Sequence, residues 1–395
     1  MTATNPFFVI FPIFSCLLTV WLIKKNSFDA STQGRFATID GLRGYLAFFV
    51  FLHHSCVNYF YLTTGKWQSP NSSLFAVFGY GSVQVFFMIT SFLFFSKLLN
   101  IKQTKINWVK FYISRLLRLY PLYLFSISLV FIIIMYLSKG HLQESYWELF
   151  KHVSSWILFD LFGMADINEE ARTHIINAGV TWSLSYEWIF YLSMPIWAHL
   201  LKLPTSIRWV LFGLIGVSVI GIFHPLLGGK AFLGGILAAF LVKNDEFRLV
   251  AASNLMSVVA MLALIAAAVP FVFNNESLTL ILLIIAFVII ACGNQLFGLL
   301  LHPISRALGD LSYSIYLLHG ILLFVTFNIL IDKSLLVSAN IYWGVITIMA
   351  PILIFICHCT YQYIEYPVMK STDKVMIWLK KIVKKNDQET QSYNA

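Results

Sequence analysis

The chain has 395 residues, of which 59% are hydrophobic and 11% charged, with a mean hydropathy of +0.78. A soluble fold of this length keeps far more of its surface polar. The composition therefore excludes a cytosolic enzyme, a secreted disulfide scaffold and a disordered chain, and it predicts a polytopic membrane protein whose net charge of +9 sets orientation and does not bind nucleic acid.

Eleven apolar runs are long enough, or nearly so, to cross a hydrocarbon core of ~30 Å. In chain order they cover residues 7–23, 42–62, 74–96, 119–138, 180–201, 209–223, 226–242, 251–273, 277–292, 308–331 and 341–363. A shorter candidate at 147–164, with Trp147, Trp156 and Phe159, reads as interfacial or re-entrant. The expected fold class is all-α, a polytopic integral membrane helix bundle. Run 7–23 lacks a basic stretch before it and carries its charges after it, which favours a retained anchor with its N-terminus outside over a cleaved signal peptide. Residues 1–35 are expected to be this N-terminal transmembrane anchor and a cytoplasmic linker. Residues 36–370 follow as the main transmembrane domain and 371–395 as a basic cytoplasmic tail, with no second soluble domain. Cys16, Cys56, Cys292, Cys357 and Cys359 lie in or beside apolar runs without zinc or redox spacing, and read as small buried residues outside any disulfide or metal site.

The loops fix the orientation. The segment between the third and fourth runs carries Lys97, Lys102, Lys105, Lys110, Arg115 and Arg118 and no acid. The next loop, 139–180, carries Glu144, Glu148, Asp160, Asp166, Glu169 and Glu170 against Lys139, Lys151 and Arg172. The first is predicted to be cytoplasmic and the second external. Alternation then places Lys24, Lys25, Arg35, Lys202, Arg208, Lys243, Arg248, Arg306, Lys380, Lys381, Lys384 and Lys385 inside.

Ionisable side chains inside apolar runs are costly, and each is a candidate for function. Arg43 and His54 are eleven residues apart, close to a whole number of turns, so they share a helix face about 16 Å apart along its axis. His53 points roughly 100° away. An arginine at the cytoplasmic mouth suits a phosphate-bearing anion, and a buried neutral histidine suits a general base; the plainer reading is a snorkelling arginine and a core histidine. Arg115 and Arg118, three apart, share a face on the same side of the membrane, although ordinary positive-inside charge would look the same. Glu187 lies about two turns into a span that enters from outside, at a depth near that of His54, which it could orient; the plainer reading is a structural glutamate hydrogen-bonded to a tyrosine or tryptophan. His319 is also about 16 Å deep, with Ser312 and Tyr316 spaced to share its face, which suits a packing or hydrogen-bonding role at least as well as a catalytic one. Glu365 reads as a helix-end or salt-bridge residue.

No GxSxG elbow, P-loop, HExxH or GxGxxG occurs, so covalent serine and zinc chemistry have no support. Two function classes remain. One is an enzyme acting on an anionic donor. The other is a proton-coupled transporter of a polar or acylated solute, which intramembrane His and Glu also suit but which the absence of an inverted repeat disfavours.

The segments Asp40–His54, Phe86-Phe87 to Ser91-Phe92-Leu93, Arg115–Pro121, Trp182-Ser183-Leu184 to Glu187 and Phe190-Tyr191, Gly309–His319 and Glu365-Tyr366-Pro367 occur in an order that resembles the membrane-bound acyltransferase-3 family, over roughly residues 36–370. The resemblance implies a ten-helix core, to which run 7–23 is an extra N-terminal transmembrane helix. It implies transfer of an acyl group, usually acetyl, from cytoplasmic acetyl-CoA or another acyl-CoA, without a metal. The acceptor would be a hydroxyl of a carbohydrate or lipid-linked glycan such as O-antigen, exopolysaccharide or peptidoglycan, at a bacterial inner membrane. Carried over residue by residue, it implies His54 and Glu187 as catalytic and Arg43, Arg115 and Arg118 as acyl-CoA-binding, with Asp40, His319 and Trp182 in supporting or substrate roles. One departure is Thr90-Ser91, where the family has Ser-Gly. The adjacent His53 is another.

Overall fold

The computed structural model describes residues 2–27, 36–101, 106–170, 172–225, 229–332 and 338–393. Arg35, Lys102 and Lys105 lie outside the described residues, and for Lys25, Lys384 and Lys385 only the backbone is described.

The chain is an all-α polytopic helix bundle. In order its helices are α1 (Ile10–Ser27), α2 (Ala37–Thr64), the short α3 (Ser73–Ala76), α4 (Ser82–Leu99), α5 (Trp108–Leu137), α6 (Tyr146–Ile157), α7 (Trp182–Leu200), α8 (Ile207–Phe223) and α9 (Ala231–Leu241). Then come α10 (Asp245–Ala251), α11 (Asn254–Ala267), the short α12 (Pro270–Phe273), α13 (Glu276–Ala291), α14 (Pro303–Asp310), α15 (Ser312–Val325), α16 (Ala339–Thr360), the short α17 (Tyr366–Met369) and α18 (Thr372–Tyr393). Each predicted apolar run overlaps helix among the described residues, with residues 226–228 of run 226–242 lying outside them. Among the described residues, five helical stretches are long and apolar enough to cross a bilayer: Pro6–Lys24, Ser73–Leu99, Trp108–Leu137, Ser312–Leu330 and Ala339–Met369. Helices α10 and α11 are bent by 72° at their junction. The 147–164 candidate forms α6, twelve residues long and too short to span.

Helix α5 begins eleven residues before its predicted run. Asn107 caps it, its side chain accepting from the Lys110 N–H at 2.9 Å. The added turns carry Trp108, Phe111 and Tyr112, whose rings pack on one another and on Phe94, Tyr191 and Trp209. Aromatic burial, invisible to a search for uninterrupted aliphatic hydropathy, lets the helix run through the charged stretch. Arg115 and Arg118 are thereby held on a rigid helix two to three turns from its start.

Helix α2 crosses α14 at backbone contact. A Cβ on Gly41 would stand 2.0 Å from the Leu300 carbonyl oxygen, one on Gly44 2.6 Å from the Gly309 nitrogen, and one on Gly309 1.9 Å from the Asp40 carbonyl oxygen. The three glycines let the chains meet where side chains would hold them apart, and Arg43 lies on the stretch of α2 that makes this contact. At the Thr90-Ser91 departure the close approach comes from the other side: a Cβ on Gly235 of α9 would lie 2.0 Å from the Met88 carbonyl oxygen and 2.1 Å from Ser91 Oγ.

Helix α1 packs along α16. Phe8 stacks on Trp343 at 5.8 Å, and Trp343 Nε1 donates to the Ala3 carbonyl at 3.0 Å. The segment between α5 and α7 is folded over the bundle. Trp156 is fully buried and donates to the Ala165 carbonyl at 2.8 Å, and Asn168 Nδ2 donates to the His141 carbonyl at 2.9 Å. Cys16, Cys56, Cys292 and Cys357 are buried free thiols, and Cys359 is partly exposed, contrary to its reading as buried. Glu365 makes no salt bridge among the described residues; buried, it accepts a hydrogen bond from the Ser314 hydroxyl.

Candidate active site

Arg43 from α2, Arg115 and Arg118 from α5, and Glu187 from α7 line one cavity of about 380 Å³. Lys97, Thr90, Tyr191, Tyr313 and Tyr316 add polar groups, and Phe86, Leu93 and Phe94 supply apolar wall. Arg115 donates to Ser114 Oγ at 2.9 Å, and its guanidinium lies 4.9 Å over the Phe94 ring. Among the described residues, none of the three arginines has a carboxylate within salt-bridge distance. The cavity thus concentrates positive charge that the protein leaves available to an anion.

Glu187 is the acidic group in that wall. Its carboxylate accepts from Thr90 Oγ1 at 3.0 Å and from Tyr191 Oη at 3.1 Å. Tyr191 is one helical turn along the same face. The expected contact between Glu187 and His54 is not formed: two neighbouring hydroxyls take the carboxylate, and the Tyr191 contact is the one that the plainer reading of a structural glutamate expects.

The partner of His54 is His319. His54 Nδ1 and His319 Nε2 are 2.9 Å apart, with the rings nearly parallel at 5.1 Å. His319 is fully buried, and its Nδ1 lies 2.8 Å from the Ile315 carbonyl. A carbonyl only accepts, so His319 Nδ1 carries a proton and, in the neutral ring, Nε2 carries a lone pair. That lone pair accepts from His54 Nδ1–H. The Nε2 of His54 is then the basic atom, as a general base requires. His54 is half-buried and stacks at 6.3 Å on Trp67 of the loop after α2. Arg172, in the segment before α7, donates to the Gly65 carbonyl at 3.3 Å, tying that segment to the loop after α2.

His53 faces elsewhere. Its Nδ1 donates to the Phe75 carbonyl at 2.7 Å, and its ring packs on Gly79. Tyr316 links the two halves of the site. It lines the arginine cavity, its ring is 6.3 Å from that of His319, and its hydroxyl shares a 2.8 Å hydrogen bond with Ser183. Asp40 and Trp182 are not in the cavity wall. The Asp40 backbone lies at the α2–α14 crossing, and the Trp182 ring stands edge-on to Phe87 and Tyr186.

Lys97, Thr90, Tyr191, Tyr313 and Trp67 were not expected at the site. Tyr191 carried a signal in its four-residue spacing from Glu187. Trp67 carried none, because it reaches His54 from a loop.

A family model described as an acyltransferase domain matches residues 36–361, most of the chain. No curated protein and no solved structure matches. With its all-α multi-pass architecture, the chain belongs to the acyltransferase-3 family and is a membrane acyltransferase.

Proposed function

We propose that the protein moves an acyl group, acetyl in the usual case, from cytoplasmic acyl-CoA to a hydroxyl of a cell-surface carbohydrate. The observation that carries this reading is the pairing of two sites: a cavity with three arginines free of carboxylate partners, and a histidine pair about 16 Å further along α2. Arg43, Arg115 and Arg118 bind the donor phosphates, and Phe86, Leu93 and Phe94 flank the apolar arm. The arm passes Tyr316 and brings the thioester to His54.

The acceptor hydroxyl enters from the outer side, beneath Trp67. His54 Nε2 takes its proton as the oxygen attacks the thioester carbonyl. The tetrahedral intermediate collapses with cleavage of the C–S bond, and the proton on Nε2 passes to the departing thiolate. The Nδ1–H bond to His319 persists throughout and stabilises the imidazolium formed in between.

The test is acyl transfer by the purified full-length protein in proteoliposomes, supplied with acetyl-CoA and a polysaccharide acceptor and read as thiol release together with acetyl on the glycan. His54→Ala and Arg43→Ala are expected to insert normally, the first with transfer lowered about 10²-fold or more and the second with donor binding weakened about ten-fold or more. Wild-type rates in both variants would sink the reading.

A further inference from the structure

A second cavity, of about 540 Å³, lies at the cytoplasmic ends of α4, α9 and α13. Its wall is polar, with Thr38, Asn100, Lys243, Arg248 and Gln295. It shares Phe36 and Ser96 with the arginine cavity, so the two are neighbours across a common wall. Ser96 is 2% exposed, and its hydroxyl has no hydrogen-bond partner among the described residues. A buried hydroxyl lining two cavities without a partner is a donor and acceptor suited to a bound ligand.

The cations of this cavity are loosely committed. Lys243 Nζ donates to the Leu99 carbonyl at 2.6 Å, which leaves two of its three protons for other acceptors. Arg248 pairs with Asp245, the one acid in the wall, at 3.2 Å. That pair is more than half exposed on both sides, so solvent screens it and a phosphate can displace it.

We propose that this second cavity binds the nucleoside 3′-phosphate end of the donor, with Lys243 and Arg248 on the phosphate and Phe36 and Ser96 at the passage between the cavities. The inference rests on the acyl-CoA reading above and extends it. Acyl-CoA is an elongated molecule with the thioester at one end, a diphosphate along its length and a phosphorylated adenosine at the other. If the thioester reaches His54 and the diphosphate sits about 16 Å below at Arg43, the adenosine must lie further toward the cytoplasm. The adjoining cavity offers polar walls, two cations and an aromatic ring there. A phosphate held by a lysine and an arginine gains charge-assisted hydrogen bonds from both.

The test compares acetyl-CoA with acetyl-dephospho-CoA, which lacks only the 3′-phosphate, using the full-length protein in proteoliposomes. The wild-type protein should show a KM about ten-fold or more higher for the dephospho donor. The double variant Lys243→Ala, Arg248→Ala should raise the KM for acetyl-CoA by a similar factor, leave kcat unchanged, and leave the KM for acetyl-dephospho-CoA unchanged. The dephospho donor is the internal control for folding. Equal changes for the two donors, or no change for either, would overturn the subsite alone. Absence of transfer from both donors by the wild-type protein would overturn the subsite together with the acyl-CoA reading.

Discussion

The Nδ1 of His54 lies 2.9 Å from the Nε2 of His319, and the Ile315 carbonyl, 2.8 Å from the far nitrogen of His319, determines which ring donates. One backbone oxygen therefore fixes the tautomer of two rings and leaves the basic nitrogen of His54 free. The pair resembles in logic a nucleophile's base and its orienting group, with an imidazole in the orienting position.

Three substitutions separate the roles of the histidines. His54→Ala should lower kcat by roughly 10² to 10⁴, the usual range for loss of a general base. His319→Ala should cost less, because it removes the acceptor for His54 Nδ1–H but leaves the base. It should also shift the acidic limb of the pH–rate profile, since the imidazolium loses its partner. His53→Ala should leave kcat near wild type and lower thermal stability instead, because that ring is committed to the Phe75 carbonyl. Steady-state kinetics with melting of the purified variants distinguishes these outcomes, and a His53→Ala variant as inactive as His54→Ala would contradict the assignment.

The arginines should act on binding. Arg115→Lys and Arg118→Lys keep the charge but lose the planar fork that holds a phosphate by two hydrogen bonds. Each is expected to raise the donor KM roughly ten-fold while kcat changes little, and the wild-type KM should rise with salt. A fall in kcat at constant KM would instead place these residues in the chemical step.

Glu187 brings a negative charge into a cavity built for an anion. Its two partners, Thr90 and Tyr191, both donate to it, so Glu187→Gln turns one accepting position into a second donor. The repulsion of the incoming phosphates falls, and the donor KM should not rise. Hydrogen bonds to a carboxylate contribute roughly 1.5–3 kcal/mol, so kcat should fall by about ten-fold or more if the carboxylate positions the reacting groups. An unchanged kcat would reduce Glu187 to a charge-balancing role.

Much of this site could be read from helix geometry alone. Arg43, His54, Arg115, Arg118 and Glu187 lie on helices, where rise and twist translate spacing into depth and face. Those rules describe one helix at a time. They placed Glu187 and His54 at similar depth but could not say which helices meet. His54 and His319 are separated by 265 positions and pair because α2 and α15 pack together. The crossing glycines Gly41, Gly44 and Gly309 were visible as letters, yet their meaning depends on a backbone that arrives from elsewhere. Trp67 shows the limit most plainly: a loop residue has no period, so nothing local announces that it stacks on His54.

The loop between α6 and α7 carries a pH response of its own. Asp160 is fully buried there, and its carboxyl oxygens have no hydrogen-bond partner among the described residues. Burial pushes its pKa up from the usual carboxylate range to about 7. In the unfolded chain the group ionises near pH 4. Between about pH 4 and 7 the unfolded state releases this proton while the folded state keeps it, so folding stability falls as pH rises through that window and levels off above it. At about 1.4 kcal/mol per pH unit the upper limit of the loss is roughly 4 kcal/mol. Asp160→Asn removes this titration and keeps the shape, so the apparent Tm of the purified variant should decline less from pH 5 to pH 8 than the wild-type Tm does. The hydrogen bonds that Ser185 and His224 make to this loop accept at the backbone carbonyl of residue 160 and not at its carboxyl, so the substitution leaves them in place. Parallel pH profiles for the two proteins would show that Asp160 is already solvated or paired in solution.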